Sequence, residues 1–314
     1  MKKLKHLWRL LKTLKKIKMN LTKQNIKILQ KAVGAKPDGL YGPNTIAKVK
    51  EFQKENNLVI TGNPSEQTWQ FILDLESELD SDTSKQYFIT EYNQVIHKHY
   101  LPEGEYINGP IKNEYVFLHH TAGRNNPYKC IDHWAKDSRG RIATEFVLGG
   151  RSHNKFDLNE YDGVMVQAFP DGGQGWHLGK TGSRHMNRHS VGLEICATGY
   201  LDKNNKTYFG SLVNDSEVYT LDKPFRGYLN WHNYSDKQIE ETEKWLKYIA
   251  DRDNIDIREG LQKWIKKYGA HKAFDFHEDA YLGKVKGLLT HTNVRKDKTD
   301  CYPHAKLVEM ILRL

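Results

Sequence analysis

The sequence predicts an α/β protein: a central mixed β-sheet flanked by helices, preceded by a small three-helix module. Three observations carry this expectation. Between residues 22 and 73, apolar residues recur at helical spacing and turns rich in Gly and Pro interrupt them twice. The stretch "ESELDSDTSK", 76–85, is polar, acidic and free of large apolar side chains, as a linker is. Beyond it, short apolar runs alternate with longer amphipathic segments, the pattern of strands and helices that share one core.

In the small module, Ile26, Leu29 and Val33 fall on one helix face. "KPDGLYGPNTIAKVKEFQ" then reads as a turn followed by a helix with Pro43 at its first position, where the missing N–H costs nothing. Ile46, Val49 and Phe52 continue the apolar face. "ITGNPSEQTWQFIL" repeats the device and opens a third helix carrying Trp69 and Ile72. The later part shows strand-like runs at 115–119, 142–148, 164–168, 190–196 and 287–291. Ser235 with Gln238 is a capping box for a helix with Ile239, Leu246 and Ile249 along one side. Further helices are expected near 257–268 and 304–313. The expected divisions are a basic segment at 1–18, the three-helix domain at 19–75, a linker at 76–90 and the larger domain at 91–314.

A chain of 314 residues with 38% hydrophobic content, seven Trp and seventeen Tyr has material for real cores and does not read as disordered. The net charge of +9 favours polyanionic partners without choosing among nucleic acid, anionic lipid and wall polymers. No RNP, helix-turn-helix or zinc-finger pattern is present, so nucleic acid is not an expected partner. The three cysteines, Cys130, Cys196 and Cys301, form no CxxC pair, which fits synthesis in a reducing cytoplasm. No apolar run approaches the ~20 residues needed to span a bilayer. Residues 1–18, "MKKLKHLWRLLKTLKKIK", place Leu4, Leu7, Trp8, Leu11 and Leu14 at helical spacing among Lys and Arg. They lack the continuous apolar core and cleavage site of a signal peptide. Either this segment touches an anionic membrane or lipopolysaccharide, or it is an upstream extension and Met19 is the start.

"VFLHHTAG", 116–123, ends a strand pattern on two histidines that must point to opposite faces. In "GLLTHTNVRKDKTDCYPH", 287–304, an apolar run ends at His291, with Asp300 nine residues on and Cys301 beside it. Catalytic zinc takes three protein ligands from imidazole, carboxylate and thiolate, so these residue types suit it. Spacing alone leaves structural histidines as an alternative. In "SVGLEI", Val191, Leu193 and Ile195 share one strand face and Gly192 and Glu194 the other. "GWHLG" places Trp176 and His177 on a loop, either lining a groove or packing with a hydrogen-bonded neighbour.

Two resemblances give these residues roles. "DGLYGPNTIAKVKEFQKENNL" followed by "TGNPSEQTW" resembles the three-helix peptidoglycan-binding module of wall hydrolases, which implies wall targeting. "VFLHHTAG", "GWHLGKTG", "HSVGLEICATGYL" and "THTNVRKDKTDCYP" resemble, in order, the zinc N-acetylmuramoyl-L-alanine amidases, a fold shared with peptidoglycan recognition proteins. The resemblance spans roughly 110–304, with an unusually long stretch between Glu194 and His291. It implies Zn2+ held by His119, His291 and a third ligand that is Asp in some branches and Cys in others. "KTDCYP" matches the Asp branch by the Lys two before, the Thr one before and the Pro three after, which favours Asp300 over Cys301. Lys298 then matches the catalytic lysine, Glu194 the general acid/base, and Trp176 and His177 the substrate groove. Thr144-Glu145 stands where Tyr-His or Ala-His is frequent, so branches with a catalytic tyrosine there are poor guides.

The implied activity is hydrolysis of the amide between N-acetylmuramic acid and L-alanine of bacterial peptidoglycan. The lack of an export signal, the wall-targeting module and the basic start together point to a monomeric phage endolysin, made in the host cytoplasm and acting on the wall. A bacterial autolysin exported by another route is the alternative. The competing reading is a peptidoglycan-recognition protein that binds without cleaving.

Overall fold

The computed structural model describes residues 23–56, 58–65, 67–69, 72, 87–109, 111–154 and 159–314. The basic segment 1–18 and most of the linker therefore lie outside the described residues. The chain divides into two compact units, Met1–Ser84 and Lys85–Leu314.

In the first unit, α1 (Lys23–Ala32) and α2 (Pro43–Glu55) bury Leu29, Val33 and Val49 together with Ile72. Tyr41, Phe52 and Trp69 pack against that cluster. Pro43 sits at the start of α2 as its sequence predicts. One buried glutamine then ties each turn to the helix before it. Gln30 accepts from the Gly39 amide at 2.8 Å and donates to Leu40 O and Thr45 Oγ1, both at 2.9 Å. Gln53 accepts from the Thr61 and Gly62 amides, both at 2.9 Å, and donates to Asn63 O at 2.8 Å and Thr68 Oγ1 at 3.0 Å. Each turn thus satisfies backbone groups that burial would otherwise leave costly.

The second unit is built on a seven-stranded sheet. In chain order its strands are β1 (Tyr87–Ile89), β2 (Val95–Lys98), β3 (Tyr115–His120), β4 (Phe146–Leu148), β5 (Met165–Gln167), β6 (Ser190–Ile195) and, after a separate hairpin of β7 (Val218–Phe225) and β8 (Tyr228–His232), β9 (Gly287–Thr290). Their spatial order is β1-β2-β5-β4-β6-β3-β9. β4, β6, β3 and β9 run parallel to their neighbours in that order, so their C-terminal ends share one edge. That edge of an α/β sheet is where chemistry-bearing loops collect. β1 lies within residues 76–90 read as linker, so that segment is shorter than expected: Tyr87–Ile89 pairs antiparallel with β2 instead. Both strands are only three or four residues long and half exposed, which hid them from an apolar-run criterion.

Helices cover both faces. On one, Val116, Leu118, Val191, Leu193 and Ile195 pack on α5 (Asp236–Asp253), α6 (Leu261–Tyr268) and α10 (Ala305–Arg313). Ser235 caps α5 through the expected capping box. On the other face α3 (Pro127–Trp134) packs through Ile131 on Val147 and Val166, while α4 (Arg184–Arg188), with Leu178, Ala280 and Val294, covers Tyr115, Phe117 and Leu289. Three single-turn helices are α7 (Ala270–Ala273), α8 (Glu278–Tyr281) and α9 (His291–Val294). Each fully buried Leu, Ile or Phe in these layers contributes about 1.5–3 kcal/mol by leaving water.

Candidate metal centre and active site

β3 is hydrogen-bonded by β6 on one side and β9 on the other, and every residue from Tyr115 to His120 is buried. This rigid strand delivers two histidines to opposite faces. His120 joins Val116 and Leu118 on the helical face, where its Nδ1 meets Tyr234 Oη at 2.8 Å among the rings of Trp231, Tyr234 and Tyr302. Gly199, at φ +81°, passes so close that an added Cβ would stand 2.9 Å from His120 Nε2. His119 shares the other face with Tyr115 and Phe117.

There His119 Nδ1 stands 3.1 Å from His291 Nδ1 and 3.1 Å from Asp300 Oδ2, and His291 Nδ1 stands 3.0 Å from the same oxygen. His291 opens α9 immediately after β9, whose turn is held by the Thr290–Asn293 capping box. Asp300 reaches the site on the following loop, where the Thr292 amide donates to its carbonyl at 3.0 Å. Among the described residues this is the one group of three His, Cys, Asp or Glu side chains close enough to hold a metal. Cys301 is not part of it: it is fully buried in the sheet–helix core beside Tyr234.

Zinc is the metal that the sequence resemblance implies, and the residues suit it. In a tetrahedral site with bonds of about 2.0–2.1 Å, ligand atoms stand about 3.3–3.4 Å apart, close to the triangle found. Burial holds His119 down to about 4, against the pull of Asp300, so its ring is neutral as a ligand must be. Burial pushes the Asp300 carboxyl up, but the imidazoles of His291 and His119 beside it hold it well below the usual carboxylate range. His291 Nε2 lies 3.3 Å from Leu178 O. A carbonyl only accepts, so that nitrogen carries the proton and Nδ1 presents a bare lone pair to the centre of the triangle.

Glu194 is the register partner of His119 on the neighbouring strand. Its Oε2 is buried and has no hydrogen-bond partner. Burial, and then the Asp300 charge, raise its carboxyl well above the ordinary value, while Lys298 opposes them. Lys298 is partly buried and near enough to act electrostatically on both Glu194 and His119. Trp176 is partly buried on the loop after Gly175, and its amide donates to Arg141 O at 2.7 Å.

His177, expected to line the substrate groove, is partly buried between His119 and Ser190. Its Nδ1 faces His119 Nε2 at 2.9 Å and its Nε2 faces Ser190 Oγ at 2.8 Å, so both ring nitrogens are already engaged within the protein. Sequence reasoning gave Ser190 no role at all. The trace it left is Gly192, where a Cβ would stand 3.0 Å from His177 Nδ1 and 2.8 Å from Thr144 Cγ2. Glu145 turns away from this centre and pairs with Arg252, 2.6 Å from Nη1 and 3.1 Å from Nη2.

A mostly parallel sheet thus carries, at its C-terminal edge, a His-His-Asp cluster that could hold a metal and a buried carboxylate beside it. The chain belongs to the N-acetylmuramoyl-L-alanine amidase family, whose profile matches residues 108–302. It is by kind a peptidoglycan amidase. Residues 12–72 match the peptidoglycan binding domain, a match that begins inside the stretch 1–18 read as a separate segment. Among solved structures, that of PlyL is similar at 13% identity and a TM-score of 0.37, over 68% of this chain and 92% of that one. The PlyG catalytic domain is similar at 13% identity and 0.36, over 69% and 90%. The catalytic domain of XlyA is similar at 16% identity and 0.35, over 65% and 88%. No curated protein matches the sequence. No helix among the described residues is long and apolar enough to cross a membrane.

Proposed function

We propose that the protein hydrolyses the amide between N-acetylmuramic acid and L-alanine in peptidoglycan, using Zn2+ held by His119, His291 and Asp300. The observation that carries this reading is the buried triangle of two Nδ1 atoms and one carboxylate oxygen at 3.0–3.1 Å, with Glu194 on the adjoining strand. Zinc, when bound, acidifies water and polarises a carbonyl. Glu194 takes the proton of the attacking water on its unpartnered Oε2 and returns it to the leaving amine of L-alanine, a role that its raised carboxyl suits. Lys298 steadies the negative charge that develops on the carbonyl oxygen. Trp176 offers the substrate an aromatic face at the site's margin.

We assign the chain to the endolysin type, a lytic enzyme joined to a wall-binding module; the match over 12–72 supports the pairing. The basic face of residues 1–18 is proposed to touch an anionic membrane or lipopolysaccharide. The test of the chemistry is a wall digest. New L-alanine amino termini without new reducing ends, abolished by a chelator and restored by zinc, are expected. New reducing ends, or activity indifferent to the chelator, overturn the reading. Wall binding without any cleavage supports a recognition protein instead.

A further inference from the structure

We infer that His177 and Ser190 form a hydrogen-bond relay that decides which nitrogen of His119 is bare. In this role His177 is a positioning residue for the metal and not a contact for substrate. The inference rests on the reading of His119 as a metal ligand. The two histidines of the triangle are oriented differently. His291 Nε2 faces the Leu178 carbonyl, which admits one arrangement of its proton. His119 Nε2 instead faces another imidazole, His177 Nδ1, at 2.9 Å, and an imidazole nitrogen can either donate or accept.

Two proton arrangements are open to the row Ser190 Oγ, His177 and His119. In the first, His177 donates from Nε2 to Ser190, its bare Nδ1 accepts from His119 Nε2–H, and His119 Nδ1 is left bare toward His291 and Asp300. In the second, Ser190 donates to His177 Nε2, His177 Nδ1–H donates to His119 Nε2, and His119 carries its proton on Nδ1. That proton then points at Asp300 Oδ2 and closes the triangle to a cation. The first arrangement alone makes His119 a ligand. A hydroxyl accepts as readily as it donates, so Ser190 permits the first arrangement, and the relay lets metal choose it without any side chain moving.

The relay is built, not incidental. His177 is held edge-on to Phe117, with ring centroids 5.8 Å apart at 71°. Gly192 of β6 leaves room for the ring, since any Cβ there would press on His177 Nδ1 and Cε1 at 3.0 and 3.1 Å. Ser190 and Gly192 lie on the same face of β6, two residues apart, so one strand supplies both the acceptor and the space.

The test measures zinc affinity of the full chain by competition with a chromophoric chelator, alongside melting of the metal-free proteins. His177→Ala is expected to weaken zinc binding by about 10–100-fold, the usual effect of losing a partner of a ligating histidine. His177→Gln, whose carbonyl can accept from His119 while its amide donates to Ser190, is expected to recover most of that loss. Gly192→Ala is expected to weaken binding as well, with every polar group retained. In the zinc-loaded protein, nitrogen NMR is expected to find the His119 proton on Nε2. The inference is overturned if His177→Ala binds zinc as tightly as the unmodified chain and only raises KM for a soluble muropeptide. It is overturned equally if Gln fails to rescue while metal-free melting is unchanged. An unmodified chain that binds no zinc overturns the metal reading itself, and this inference with it.

Discussion

Arg252→Met tests the clamp that holds β4 beside the strand of Glu194. Arg252 makes a two-pronged pair with Glu145, whose side chain is 2% exposed, and also meets Asp171 and Asp253. Its guanidinium carbon lies 5.6 Å from the Phe146 ring centroid and 5.7 Å from that of Tyr248. Methionine keeps much of the stem's packing and removes the charge. Glu145 is then left in the core with the Gln167 amide, 3.0 Å away, as its remaining partner. Breaking a buried pair from one side costs about 3–5 kcal/mol. For a unit of about 230 residues each kcal/mol moves Tm by about 2–4 °C, so a fall of about 6–20 °C is expected at pH 8.

The loss depends on pH in a fixed direction. Burial already pushes the Glu145 carboxyl up to about 7 despite the pull of Arg252. Between its ordinary value and 7 the folded chain keeps a proton that the unfolded chain has released, so stability falls as pH rises through that window. Without Arg252 the folded value climbs further and the window extends upward. The difference between variant and parent therefore grows above pH 7, by up to about 1.4 kcal/mol per pH unit, and is smallest near pH 4.5. The assay is calorimetry of the full chain at pH 5, 7 and 8, following the transition of the larger unit. Equal melting at pH 8, or a loss that widens as pH falls, refutes the reasoning. Glu145→Gln in the Arg252→Met background is expected to recover most of the loss.

Three further outcomes are expected. Asp300→Ala should abolish stoichiometric zinc binding, measured by metal analysis after dialysis, whereas Cys301→Ala should keep the metal and lose about 1–2 kcal/mol of stability through the small cavity it leaves. Glu194→Gln should retain zinc and lower kcat by about 10²–10⁴-fold in release of L-alanine amino termini, the range for removing a general acid/base. Acid should weaken the fold above the range of ordinary carboxylates, three histidines outweighing the opposite trend of Glu145: burial holds His232 down to about 3 and His120 and His304 down to about 4. As pH falls below 6.5 the unfolded chain binds protons that these folded histidines refuse, so denaturant midpoints should drop steadily from pH 7 to 5.

Much of the fold was legible along the chain because strands and helices write their periods locally. The five strand-like runs, the Ser235 capping box and the Pro43 helix start all depend on residues within a few positions of one another. β1, β2 and the β7–β8 hairpin escaped because their strands are half exposed, with partners rather than apolar runs defining them. The paired glutamines Gln30 and Gln53 escaped for a related reason: their repeat is one of hydrogen bonds to turns, not of sequence.

The sequence by itself determined the alternation that separates His119 from His120, the order of the motifs and hence the family, because strand period and residue order are properties of the chain alone. Tertiary structure decided which of two neighbours turns inward. Asp300 faces the histidines while Cys301 fills the core, because the surrounding elements leave an apolar hole for one and a polar one for the other. It also engaged Glu145 with Arg252, 107 residues away, and set His177 against His119. These are matters of which groups can be satisfied once water is excluded, and a buried polar group finds its partner in space, not in sequence.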